Sequence, residues 1–176
     1  MAWNLTNLDG KTRELMIKEI DKDIADARLY MSSRFNELGR MQYPALLKTA
    51  VQSHDEIWLA QQIRLNVLMK TEEMRNAAKG PITAKVPITA PDTLAEGEFN
   101  RFYCRGVCLR AIEEGKAAVQ VYRAKHVENP RPESEQKLGA LINALQLLND
   151  LRTSQGVEPA LGIPPGPNSG LSIQLT

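Results

Sequence analysis

The sequence predicts a mainly α fold of about five helices with a small β component, an α+β domain carrying an extended, docked C-terminal arm. Three observations point there. Apolar residues recur at three- and four-residue steps over several long segments. Short runs of alternating apolar residues occur only around 116–124 and 171–175. Six of the ten prolines fall in two stretches, 80–91 and 162–170, where helix is disfavoured. The implied organisation is one compact, mostly helical domain over 1–156, with an extended Pro-rich connector at 77–92. A Pro/Gly-rich arm over 157–176 follows and ends in a short strand.

Ile17, Ile20, Ile24, Ala27, Met31, Phe35 and Leu38 mark one amphipathic helix from about Thr12 to Leu38, capped by Asp9 and stopped at Gly39. Pro44 suits the first turn of a second helix running to about Gln52. Ser53, three residues before Glu56, reads as a capping box for a third, with Ile57, Trp58, Ile63 and Val67 on its buried side and His54 in its first turn. Pro-Ile-Thr-Ala occurs twice between Gly80 and Pro91, and its β-branched residues favour an extended chain with a short edge strand near Val86.

Thr93 and Glu96 form a second capping box, opening a helix from about Leu94 to Glu114 that closes at Gly115. Gly106 lies inside this helix at a cost of about 1 kcal/mol relative to Ala. Close approach by another element is the expected reason for it. Val119 and Val121 alternate with Gln120 and Tyr122 as a strand, and Leu138, Leu141, Ile142, Leu145, Leu148 and Leu151 mark a last helix. Leu171, Ile173 and Leu175 alternate with polar residues, so the arm is expected to pair with strand 116–124 or with a neighbouring subunit.

Composition narrows the function. The 176 residues hold 22 Lys+Arg against 21 Asp+Glu, a net charge of +1 that excludes a strongly basic nucleic-acid coat as the global theme. No stretch approaches 18 apolar residues, so no membrane partner is expected. Met1–Gly10 lacks a basic region followed by an apolar run, which predicts no classical signal and a cytoplasmic or particle-associated location. Cys104 and Cys108, four apart in a helix, read as reduced, buried thiols. Neither they nor the isolated His54 and His126 make a zinc pattern, and no metal or cofactor is expected.

The best candidate site surrounds Glu96–Cys108, where three of the nine aromatics fall within five residues. Residues 101–131 carry seven Lys/Arg against three Glu. Arg101, Arg105, Arg110, Tyr122, Arg123 and Arg131 are the candidate ligand-binding or interface residues, and convergent arginines would suit a phosphate or carboxylate. Glu96, Glu98, Glu113 and Glu128 are the acids expected to pair with them otherwise. Leu171, Ile173 and Leu175 are the candidate interface residues of the arm.

No residue is assigned a catalytic role: phosphate-binding loop, dinucleotide fingerprint, nucleophile elbow and zinc-protease motifs are all missing. A nucleophilic Cys104 or Cys108 beside Arg105 is the enzymatic variant, with no histidine placed to assist it. The favoured function is a non-catalytic structural or interaction protein, a subunit of an ordered oligomer or larger assembly of the phage- or virus-particle kind. Its partners would be copies of itself or assembly neighbours. One alternative is a small protein with an arginine-lined pocket for a phosphorylated or carboxylated ligand. A second is a helical DNA-binding regulator, weakened by the six positive and seven negative charges over 41–100.

Overall fold

The computed structural model describes residues 3–153 and 169–176. Among these are six helices and five strands: α1 (Gly10–Ala25), α2 (Glu37–Ser53), α3 (Glu56–Leu65), β1 (Glu72–Ala77), β2 (Gly80–Lys85), α4 (Ala90–Glu113), β3 (Ala118–Arg123), α5 (Pro132–Lys137), β4 (Leu141–Asn143), α6 (Ala144–Thr153) and β5 (Leu171–Leu175). The mainly helical α+β class is as the sequence predicts. α4 is the axis of the domain, with α1, α3, α6 and β5 packed around it.

The long helix expected over 12–38 is two helices. Asp9 does cap the start, its carboxylate accepting the Thr12 N–H at 3.0 Å. The backbone then leaves the helix after Ala25: Arg28 and Leu29 both donate to the Asp23 carbonyl, and Ala27 adopts a left-handed φ of 52°. What overrides the periodicity is a distant partner. Phe35 is fully buried, bridges to Met69 and packs on Tyr43 with ring centroids 4.9 Å apart. A helix continuing to Leu38 could not deliver it there. The buried stripe of α1 is accordingly Thr12, Leu15, Met16, Glu19 and Ile20, while Ile24 is exposed.

Gly39 is no helix stop. It sits in the first turn of α2, capped by Asn36, because a Cβ there would stand 2.2 Å from the Leu68 carbonyl oxygen. Pro44 lies inside α2 rather than at its start. The cap of α3 is Asp55, which accepts the Trp58 N–H at 2.8 Å. His54 closes α2 and stacks on the Trp58 ring.

The connector foreseen at 77–92 divides. Its first part belongs to an antiparallel hairpin, β1–β2, that begins earlier, at Glu72. Its end belongs to α4, where Pro91 is accommodated in the first turn, as the missing N–H permits. The N-cap there is Thr89 without a side-chain bond, so Thr93 does not open the helix; its hydroxyl donates back to the Thr89 carbonyl.

The last helix expected from Leu138 also breaks. Gly139 takes a φ of 78°, and Leu141–Asn143 then joins the edge of β3. Asn143 restarts the helix by accepting the Gln146 N–H at 2.9 Å. Leu141 and Leu145 are thereby exposed, and Ala144, Leu147, Leu148 and Leu151 form the buried face of α6.

The three-stranded sheet has the order β4-β3-β5, antiparallel throughout, with Val121 opposite Ile173 and Val119 between Ile142 and Leu175. The end of the arm therefore docks on its own domain, with Leu171 and Ile173 in the core. The rest of the arm, 157–168, lies outside the described residues. Gly106 meets the expectation of close approach: a Cβ there would lie 2.9 Å from Met16 Cγ and 3.1 Å from the Thr12 carbonyl oxygen on α1.

Gly39→Ala should lower stability by about 1–3 kcal/mol in urea unfolding, since the opposing atom is backbone and cannot swing aside. Gly10→Ala, where the new Cβ meets nothing within 4 Å, should leave the midpoint unchanged or raise it.

Candidate functional site

α4 is buried along most of its length, so the polar residues on its buried faces have no water to turn to. Glu98, Arg101 and Arg105 are buried on it; Arg105 takes its counter-charges from α1, whereas Glu98 and Arg101 face each other. Arg105, 1% exposed, is the centre. Its Nε donates to Glu19 Oε2 at 2.7 Å, and its two terminal nitrogens donate to Asp23 Oδ2 and Oδ1 at 2.6 and 2.8 Å. Its guanidinium also lies 4.9 Å from the centre of the Phe102 ring, an added cation–π contact.

Glu19 is shared. Arg152, near the end of α6, grips the same carboxylate with bonds of 2.9 and 2.6 Å. Two arginines and two carboxylates thus tie α1, α4 and α6 together with no net charge. Burial opposes the charge on Glu19, yet hydrogen bonds from Arg152 and Arg105 outweigh it and hold the carboxyl below its ordinary range. The same contest on Arg105 ends with its pKa raised, because Asp23 and Glu19 outweigh desolvation.

Glu98 differs. It is fully buried, and Arg101 Nε lies 3.4 Å from its Oε1 without hydrogen-bond alignment. Burial pushes its carboxyl up to about 7, against the pull of Arg101 and Arg105. Tyr43, whose hydroxyl is buried without a hydrogen-bond partner, is held in its neutral form by the same desolvation and by the nearby Glu98.

The structure does not gather the sequence-predicted arginines into one pocket. Arg101 donates to the Leu151 carbonyl at 3.3 Å, and Arg105 is consumed by Glu19 and Asp23. Arg110 bonds Asp9, Thr12 and Glu114 at the α1 N-terminus. Arg123 reaches Glu135 and the Ser169 carbonyl, bracing the arm. Arg131 is exposed at the cap of α5. Tyr122 donates to the Asn4 carbonyl at 2.7 Å and accepts the Thr6 N–H. Of the anticipated acids, Glu98 faces Arg101, whereas Glu96 bonds Lys125 and Glu113 pairs with Lys11.

Of the arm residues, Leu171 accepts from Asn100 Nδ2 at 3.0 Å, and Leu175 donates its N–H to Asn7 Oδ1 at 2.9 Å. Ile173 is fully buried. Cys104 and Cys108 are buried free thiols, and burial pushes Cys104 up to about 11 and Cys108 well above its ordinary value. Neither is a thiolate at neutral pH. Among the described residues, no three His, Cys, Asp or Glu stand where they could share a metal ion.

Sequence reasoning missed Glu19, Asp23 and Arg152. The first two had a signal: they are one turn apart, and Glu19 adjoins Ile20 on the buried stripe of α1. Arg152 gave none, because its role depends on where α6 ends in space. A surface depression of about 200 Å³ lies beside this network, lined by Asp23, Ile24, Ala27, Leu29, Met31 and Pro44.

No family model, curated protein or solved structure matches the chain.

Replacing Arg105 with Met should cost about 3–5 kcal/mol of unfolding free energy, because two carboxylates lose their central partner inside the core. Urea denaturation followed by circular dichroism measures it. A loss below about 1 kcal/mol would mean that solvent already reaches these groups.

Proposed function

We propose that the protein is a non-catalytic structural or interaction protein, a subunit of an ordered oligomer or larger assembly such as a virus-type particle. The observation that supports this reading is the β1–β2 hairpin. Every residue from Glu72 to Lys85 is exposed except Glu73, Gly80 and Ala84, which are half-buried. Two strands with both faces in water are marginal by themselves and gain stability by packing on another layer. Met74 and Ile82 are 68% and 49% exposed, apolar surface on an element that its own domain does not cover.

The base of the hairpin is held firmly. Arg34 makes two bonds to the Glu73 carboxylate, Arg75 adds a third, and the Met69–Phe35 bridge anchors the preceding chain. A projecting element with a rigid root and an exposed apolar side chain midway along each face suits packing against a neighbour. The C-terminal strand lends no such support, since it pairs with β3 of its own chain. The anion-pocket reading is disfavoured where Arg101, Arg105 and Arg110 already face carboxylates. Among the described residues, no helix is long and apolar enough to cross a membrane.

Light scattering on the full chain at micromolar concentration tests the reading. The expected result is a discrete oligomer that falls to monomer in the double variant Met74→Lys, Ile82→Lys, with the helical circular dichroism signal unchanged. A monomeric parent, or an oligomer indifferent to both substitutions, would overturn it.

A further inference from the structure

The end of α6 rests on an arginine that answers to a second, buried claimant. The last carbonyls of any helix lack intrahelical donors. In α6, Arg101 Nη1 supplies one to the Leu151 carbonyl, while Nε of the same guanidinium lies against Glu98 Oε1. Glu98 is 2% exposed, and that oxygen has no hydrogen-bond partner. A neutral carboxyl tolerates such a place, but a carboxylate there needs donors. The donor at hand is the arginine that caps α6.

We propose that Glu98 and Arg101 form a proton-operated latch on α6. With Glu98 neutral, Arg101 holds the Leu151 carbonyl and the end of the helix stays docked. When Glu98 gives up its proton to solvent, the guanidinium turns onto the carboxylate and the last turn of α6 is released.

The surroundings favour a switch near neutrality. Burial is the main influence on Glu98 and lifts its carboxyl to about 7. Arg101 and Arg105 on its own helix oppose that lift, and Asp23 on α1 reinforces it. The other charges packed around α4 are already committed. Glu19 on α1 is held by Arg105 and Arg152, and Arg64 on α3 by Asp92. Glu56 on α3 accepts the Trp3 N–H. Tyr43 on α2 is kept neutral by its burial, Asp150 and Arg152 are the ionisable groups of α6, and β5 has none.

The sign follows from proton linkage. A carboxyl that titrates near 7 when folded, against an ordinary 4.5, gives the folded chain more bound protons between those values. Stability is therefore full below about 4.5, insofar as Glu98 sets it, and falls as pH rises through about 7.

Amide hydrogen exchange on the full chain at pH 5.5 and 8.0, corrected for the intrinsic rate, reads the latch directly. In the parent, protection of residues 149–153 should fall by up to about tenfold per pH unit as pH rises toward the Glu98 titration and level off above it, while the second half of α3 does not change. Glu98→Gln should hold that protection level at both pH values. Pairing exchange with a carboxyl-carbon NMR titration of the unsubstituted protein covers a variant that fails to fold. One glutamate should titrate between pH 6 and 8. A latch is ruled out by pH-independent protection of α6, by a pH response surviving in Glu98→Gln, or by every glutamate titrating below pH 5.5.

Discussion

A guanidinium placed in the middle of a helical core must find its counter-charges there, and much of this fold is arranged to bring them. Arg105 is buried on α4, and the two acids that satisfy it come from one face of α1. That requirement fixes the rotation of α1, which in turn puts Thr12 and Met16 against Gly106. Arg152 then brings α6 to the same carboxylate of Glu19. Three helices are thus oriented by four charged side chains, with the apolar core closing around them. Replacing such a network with apolar residues is often neutral, so its contribution is orientation more than net stability.

The sequence made some of this readable and hid the rest for a physical reason. The strands at 118–123 and 171–175, the Asp9 cap, the buried thiols and the close approach at Gly106 are local statements, each legible from neighbouring residues. The break after Ala25 was not. Helical spacing persists past it, and what decides the break is Phe35 pairing with Met69, a partner remote in sequence. Gly139 similarly divides a leucine-rich run that has the period of one helix. The arginines around 101–131 were visible as a charge excess, but their destinations were not. Charge density along a chain says nothing of which acid each residue meets.

Core and hairpin present opposite situations. In the core and at its margin, Arg105 and Arg110, foreseen as part of a ligand site, face carboxylates of their own chain. Outside, β1–β2 offers apolar side chains and backbone edges that its own domain leaves uncovered. The uncovered hairpin is what supports the proposed contact between subunits. The arm contributes to the interior, because β5 fills the core beside α4 and braces the N-terminal segment through Asn7.

The central claim is that Arg105 and Asp23 act as one unit in setting α1 on α4. A double-mutant cycle measures that coupling: unfolding free energies of the parent, Arg105→Met, Asp23→Leu and the double variant. Residues sharing a buried charge network couple by about 0.5–3 kcal/mol. The expected result lies in the upper half of that range, with the double variant more stable than the sum of the two single losses allows. Additive losses, with a coupling below about 0.5 kcal/mol, would contradict it and leave α1 held by apolar packing alone.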